Sequence, residues 1–213
     1  MDGYIFDFDG TLANSGSTGI LATKAAFQQF NLSIPSEERI NYYTGIPIEK
    51  SFKKMAADHI FKEEEFEALL SAFREYYKVY EQENLTLFPH IKGVLQNLYH
   101  SGKRLYVVSS KHSTALKRNL EFLEIASYFE GVIGSDQVKN YKPAPDGVLY
   151  IVKQYGLSTK QTVMIGDAIF DIQMGKAAGI QTCAVTWGAH DATELAAQQP
   201  NFLIEQVDEL LDL

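Results

Sequence analysis

The stretch from Met1 to Leu12 reads MDGYIFDFDGTL, a short apolar run that ends in two aspartates, Asp7 and Asp9, and a turn at Gly10 and Thr11. Tyr4, Ile5, Phe6 and Phe8 supply a strand apolar on both faces, and such a strand belongs in a parallel sheet whose carboxyl edge opens on a ligand crevice. With side chains alternating at a period of two, Asp7 and Asp9 point the same way, and Gly10 lets the backbone turn aside. An aspartate-rich turn with no further role has the same composition. What the rest of the chain places beside these carboxylates decides between the two readings.

From Leu85 onward, strand and helix patterns alternate. Pro89 opens a helix carrying Ile91, Val94, Leu95 and Leu98 that Gly102 ends; a strand follows over 104–108, and Ser113 caps a helix with Leu116, Leu120 and Leu123. Further strands are expected over 131–134, 162–165 and 181–186, with helices over 145–155 and 168–178 stopped by Gly156 and Gly179. Residues 14–84 show helical spacing alone. Ile20, Thr23, Phe27 and Phe30 follow a cap at Ser17 or Thr18; Pro35 and Ser36 restart a short helix; Thr44 to Pro47 break it; Ile48, Phe52, Met55 and Ala56 mark another. Glu63, Glu64 and Glu65 suit the positive end of a long helix dipole, and Phe66, Leu69, Leu70, Phe73, Tyr76, Tyr77 and Tyr80 make a core stripe on its face. The fold expected is α/β, a Rossmann-like parallel sheet with helices on both faces, carrying an inserted all-helical domain. Residues 1–14 and 85–213 form the core, and 15–84 the insert.

In an open parallel sheet the carboxyl ends of the strands converge. The first strand brings Asp7 and Asp9; YVVSSK brings Ser109, Ser110 and Lys111; KPAPD brings Lys142; VMIGDAIFD brings Asp167 and Asp171. Carboxylates so gathered repel one another and rise in pKa unless a divalent cation neutralises them, and hard oxygen ligands with room for water and phosphate suit Mg2+. A hydroxyl and two ammonium groups beside that cation line a place for a phosphoryl group.

The motifs DFDGTL, VVSSK, KPAP and GDAIFD, in this order and spacing, resemble those of the haloacid dehalogenase-like hydrolase superfamily from end to end of the chain. The helical insert resembles that family's cap, and TGIPIEKSF and VTWGAHDATEL resemble the phosphoglycolate phosphatase-like group. The resemblance implies that Asp7 is the nucleophile that becomes an aspartyl phosphate and that Asp9 is the general acid, then base. It implies that Ser109 and Lys142 hold the phosphoryl oxygens, with Ser110 at the rim, and that Lys111 and the cap residues Thr44 and Gly45 meet the substrate. Asp7, the backbone carbonyl of Asp9, and Asp167 would ligate Mg2+, with Asp171 hydrogen-bonded nearby or coordinating through water. Dehalogenating members lack the second acid, so Asp9 favours phosphate chemistry. Asn14 stands where members often have an acidic residue. Pro47, Glu49 and Lys50 stand where sugar-phosphate mutases carry an arginine, which ranks hydrolysis above mutase activity. Pyrophosphate cleavage stays open, as does a non-catalytic phosphate-binding switch, although a switch has no use for a lid.

The formal net charge of -8 argues against nucleic acid and anionic membranes as partners, leaving a small phosphorylated metabolite. Cys183, the lone cysteine, lies in the apolar QTCAVTW run and reads as a small core residue. The five histidines show no metal-ligand spacing, and Ser109 with His112 lacks a GxSxG elbow. With no signal-peptide pattern and no apolar run of roughly 20 residues, a soluble cytoplasmic protein is expected.

Overall fold

The computed structural model describes residues 1–213. The apolar run at its start forms β1 (Gly3–Phe6), buried throughout. The chain turns into the two-residue β2 (Ala13–Asn14) and passes through α1 (Gly16–Gln29), α2 (Glu37–Tyr42), α3 (Ile48–Met55) and α4 (Glu63–Asn84) before β3 (Thr86–Leu87) brings it back. β2 and β3 pair antiparallel, so the helical segment leaves and returns at one place. The remainder alternates through α5 (Ile91–His100), β4 (Arg104–Val108), α6 (Ser113–Phe122), β5 (Phe129–Ile133), α7 (Asp146–Tyr155), β6 (Thr162–Gly166), α8 (Ile169–Ala177), β7 (Gln181–Val185), α9 (Ala192–Ala197) and β8 (Phe202–Ile204).

Six strands make one parallel sheet in the order β5-β4-β1-β6-β7-β8. β1 sits at its centre, with Phe6 opposite Val107 of β4 and Ile165 of β6. Asp7, Ser109 and Asp167 therefore emerge from three adjacent strands at one edge. Tyr4 and Phe6 pack on one face with Ile91, Leu95, Leu116 and Leu120 of α5 and α6. Ile5 packs on the other with Val148 and Ile151 of α7 and Met174 of α8. Burial of these three β1 side chains contributes about 5–9 kcal/mol before conformational entropy is charged against it. The peptide that carries Asp7 is thereby held from both sides.

The helices between β2 and β3 bury their own apolar stripes against one another, Ala22, Phe27, Ile40, Phe52, Leu69 and Phe73 among them, without a residue of the sheet. Phe52 meets both Phe27 and Phe73 edge-on at centroid distances of 5.1 Å.

Several local expectations shift. Ser17 and Thr18 lie inside α1, which begins after Ser15 with no side-chain cap, and α6 is capped by His112 Nδ1 accepting from the Thr114 N–H at 3.3 Å. Ser113 instead donates through its N–H and hydroxyl to Asp136, at 2.6 and 2.7 Å. α9, whose Asp191 cap accepts from the Glu194 N–H at 2.8 Å, and the three-residue β8 are too short to show a period. No helix is long and apolar enough to cross a membrane.

Candidate active site

Asp7, next after β1 and 3% exposed, accepts from Lys142 Nζ at 2.7 Å through Oδ1, and the same ammonium donates to Asp171 Oδ1 at 2.7 Å. Lys142 arrives on the β5–α7 loop and is itself buried. Asp167, just past β6, accepts from the Thr11 hydroxyl at 2.8 Å and from the Ala189 N–H at 2.7 Å. Asp171 lies in the first turn of α8 and takes the Ala168 N–H at 3.1 Å, which satisfies an orphan donor of its own helix. Gly10 has φ +87° and lies so near Asp167 that a Cβ would overlap the carboxylate, so this turn requires glycine for conformation and for room.

Carboxylate oxygens of Asp7, Asp167 and Asp171 lie within 4.8 Å of one another, and all three residues are buried. One ammonium, bonded to two of these carboxylates, is the only cation in hydrogen-bond contact with the three. Burial, and then Asp171, push the Asp167 carboxyl up to about 7. Burial likewise holds Asp7 well above the ordinary carboxylate range; Lys142 opposes that rise, and Asp171 and Asp167 add to it. Ser109 is buried at the end of β4, its Oγ accepting from the Lys111 N–H at 3.2 Å.

Residues 4–185, the span that carries all these side chains, match the family described as haloacid dehalogenase-like hydrolase. The chain belongs to that family. Over 98% of its length it is 31% identical to the phosphoglycolate phosphatase of Escherichia coli (strain K12), of which 90% is covered. A predicted phosphoglycolate phosphatase from Haemophilus somnus 129PT superposes with a TM-score of 0.91 at 25% identity, covering 100% of this chain and 97% of that one. A predicted phosphatase from Clostridium acetobutylicum gives 0.87 at 26%, with the same coverage.

In this haloacid dehalogenase-like hydrolase the Asp9 carboxylate stands apart from the buried triad. Lys111 Nζ donates to Asp9 Oδ1 and Oδ2 at 2.7 and 2.9 Å, and to the Tyr77 hydroxyl at 2.9 Å. All three ammonium protons of Lys111, a residue expected at the substrate, are thus engaged within the protein. Burial works against the Lys111 charge, and Asp9 and Tyr77 overcome it, so its pKa is raised. Burial pushes the Tyr77 hydroxyl up to about 12, so it keeps its proton at neutral pH.

The α2–α3 loop carries Thr44 and Gly45 to the sheet edge. The Gly45 carbonyl accepts from the Ser110 hydroxyl at 2.9 Å, and a Cβ at Gly45 would come within 2.9 Å of Ala168 and 3.0 Å of Phe170. Thr44 Oγ1 donates locally to the Ile40 carbonyl at 3.3 Å. Thr44, Asp9, Ser110 and Lys111 all line a cavity of about 470 Å³ between the helical insert and the sheet. Trp187 packs at the strand end, its Nε1 donating to the Thr11 carbonyl at 3.0 Å.

Three residues near this hydrolase's cleft have roles that the sequence reading did not assign. Tyr77 read as core, yet its hydroxyl reaches Lys111. His190 is buried, accepts from the Ile169 N–H through Nδ1 at 3.3 Å and stacks on Tyr42 of the insert at 5.3 Å. Glu81 of α4, also buried, accepts from Arg118 Nε and Nη2 at 2.8 Å each and from Asn119 Nδ2 at 2.7 Å, both on α6. Phe73, Tyr77 and Glu81 follow at steps of four, so a carboxylate continuing an apolar stripe was the available sign of a partner outside the insert.

Proposed function

We propose that the protein is a Mg2+-dependent phosphatase of a small phosphorylated metabolite, with 1–14 and 85–213 as catalytic core and 15–84 as a cap. The observation that carries this reading is the buried Asp7, held by Lys142 and within 4.8 Å of the Asp167 and Asp171 carboxylates. Asp7, Asp167 and the backbone carbonyl of Asp9 would hold Mg2+, with Asp171 in support; the donors are hard oxygens, and one ammonium among three carboxylates leaves charge for a divalent cation to neutralise. When bound, that cation supplies positive charge to the triad and to the phosphoryl oxygens.

With Lys142 on Oδ1, Oδ2 of Asp7 attacks phosphorus. The bond to the leaving oxygen breaks, and that oxygen takes a proton from Asp9, whose protonated form keeps one of its two bonds to Lys111. Water then attacks the aspartyl phosphate and gives a proton to Asp9, while the bond from phosphorus to Asp7 breaks and frees phosphate. Ser109 and Lys142 hold the phosphoryl oxygens during transfer and Ser110 lines the rim. The cap walls the cleft from bulk water. A cavity of about 470 Å³, lined by Asp9, Ser110 and Lys111 and not by Asp7, Ser109 or Lys142, suits the organic part of a metabolite whose phosphoryl group reaches Asp7.

The relatives named phosphoglycolate phosphatase make 2-phosphoglycolate the first compound to test, beside pyrophosphate, sugar phosphates and nucleotides. Phosphate release from at least one of them, dependent on Mg2+, is the expected result. A folded protein that releases phosphate from none would overturn the reading.

Metal removal has a pH signature. Asp167, at about 7, and Asp7, also raised, bind protons in the folded state that the unfolded chain has lost above about pH 4. Their contribution to stability is therefore full below about pH 4 and is lost as pH rises through 7. Glu130 and Asp136, lowered by their partners, act only below the ordinary carboxylate range. The metal-free protein should melt at a lower temperature at pH 8 than at pH 5.5. Mg2+ at a fixed concentration of 100-fold its Kd at pH 8 should restore about 5–10 °C at pH 8 and less at pH 5.5. Equal stabilisation at both pH values would remove the triad as the metal site.

A further inference from the structure

We infer that Tyr77 is a positioning residue for Asp9, and that through it the helical insert completes the acid–base half of the site. The inference rests on the role proposed for Asp9. The Tyr77 ring belongs to the core of the insert, 7% exposed and 5.8 Å from Phe73 between centroids, and only its hydroxyl reaches past that core. There it accepts from Lys111 at 2.9 Å and lies 3.5 Å from Asp9 Oδ1. Lys111 closes the triangle with one bond to each Asp9 oxygen, which fixes the plane of the carboxylate.

A lysine on a four-carbon stem does not hold such a position alone, because its rotamer freedom is among the largest of any side chain. Here the ammonium is boxed in. The Tyr77 ring lies 4.3 Å away and the Phe8 ring 5.4 Å away, each measured to the centroid, and the Lys111 side chain is 11% exposed. One wall of the box, Phe8, belongs to the turn after β1; the other belongs to α4 of the insert. Removal of the Tyr77 hydroxyl leaves the ring wall in place and takes away one of the three acceptors that set the ammonium.

Proton donation matters in proportion to the basicity of the leaving group. An alkoxide leaves with help from an acid, whereas p-nitrophenolate departs without it. In the transfer step, misalignment of Asp9 therefore costs rate on alkyl phosphates and spares p-nitrophenyl phosphate; hydrolysis of the aspartyl phosphate, where Asp9 is the base, is common to both, and a general loosening of the cleft costs the transfer step on both.

The test compares wild type and Tyr77→Phe, with Mg2+, on p-nitrophenyl phosphate and on an alkyl phosphate from the panel. For Tyr77→Phe, kcat/KM on the alkyl phosphate, which reports the steps up to release of the leaving group, should fall about tenfold, and kcat/KM on p-nitrophenyl phosphate should change by less than about twofold. Equal losses of kcat/KM on the two compounds, or no loss of kcat/KM on the alkyl phosphate, would overturn the assignment. Lys111→Met gives an independent approach: Tyr77→Phe added to it should cost nothing further, and a second tenfold loss would show that Tyr77 does not act through Lys111. Wild-type protein inactive on both compounds would overturn the phosphatase reading itself, and the inference with it.

Discussion

Asp7→Asn leaves the fold in place and removes turnover, with a loss on the order of 10⁴–10⁶-fold expected for an absent nucleophile. The amide has the size of the carboxylate, and Lys142 retains Asp171 at 2.7 Å, so no buried charge is left without a partner. The amide oxygen is a poor nucleophile, and an acyl phosphate does not form on it. The effect on stability runs the other way. The variant lacks a buried carboxylate that burial, and then Asp171 and Asp167, hold well above the ordinary range, so without metal it should melt no lower than wild type at pH 8. Phosphate release and a thermal melt on the same preparation check both halves. Turnover within tenfold of wild type would remove Asp7 as the nucleophile.

Lys142→Met should be the most destabilising of the site substitutions. Methionine is close to lysine in volume and keeps the packing, but Asp7 and Asp171 then sit buried with no counter-charge. Breaking a buried pair of this kind costs about 3–5 kcal/mol. For a chain of this length that is a fall in Tm of about 6–20 °C. The deficit should shrink as pH falls, because the raised Asp7 and Asp167 carboxyls take up protons in the folded state before the unfolded chain does, and should shrink at pH 8 when Mg2+ is added. A Tm equal to wild type at pH 8 without metal would mean that Lys142 is not what balances the triad.

The catalytic edge of the sheet was legible because each of its groups follows a run of apolar residues too short for a helix. Tyr4 to Phe6, Leu105 to Val108 and Val163 to Ile165 announce strands, and Asp7, Ser109 and Asp167 stand at their ends. The order of the strands was not legible, since periodicity says nothing of neighbours, and it is that order, with β1 between β4 and β6, that makes the ends meet. Contacts between the insert and the sheet were hidden for a related reason. Tyr77 and Lys111 are 34 residues apart, Lys111 and Asp9 are 102 apart, and neither local spacing nor residue type pairs them. The stripe on α4 was read as core, which is true of its rings; one ring carries a hydroxyl with work outside that core. The family motifs supplied the roles proposed for Asp9 and Lys142, which composition alone left open.

Glu81 acts as a fulcrum. Clamped by Arg118 and Asn119 of α6, it fixes the end of α4 next to the return strand β3 and leaves the other end as a lever. From Glu63 to Glu81 the helix runs about 27 Å, and Tyr77 stands about 6 Å from the pivot, at 1.5 Å per residue. A rotation of about 10° at Glu81 therefore carries the tip about 5 Å and Tyr77 about 1 Å. One ångström added to the 2.9 Å bond between Tyr77 and Lys111 ends it. With so short an arm, Tyr77 would be displaced far less than the tip of the helix, so such a rotation would part the far end of the cleft by several ångströms while drawing the grip on Asp9 out by about one.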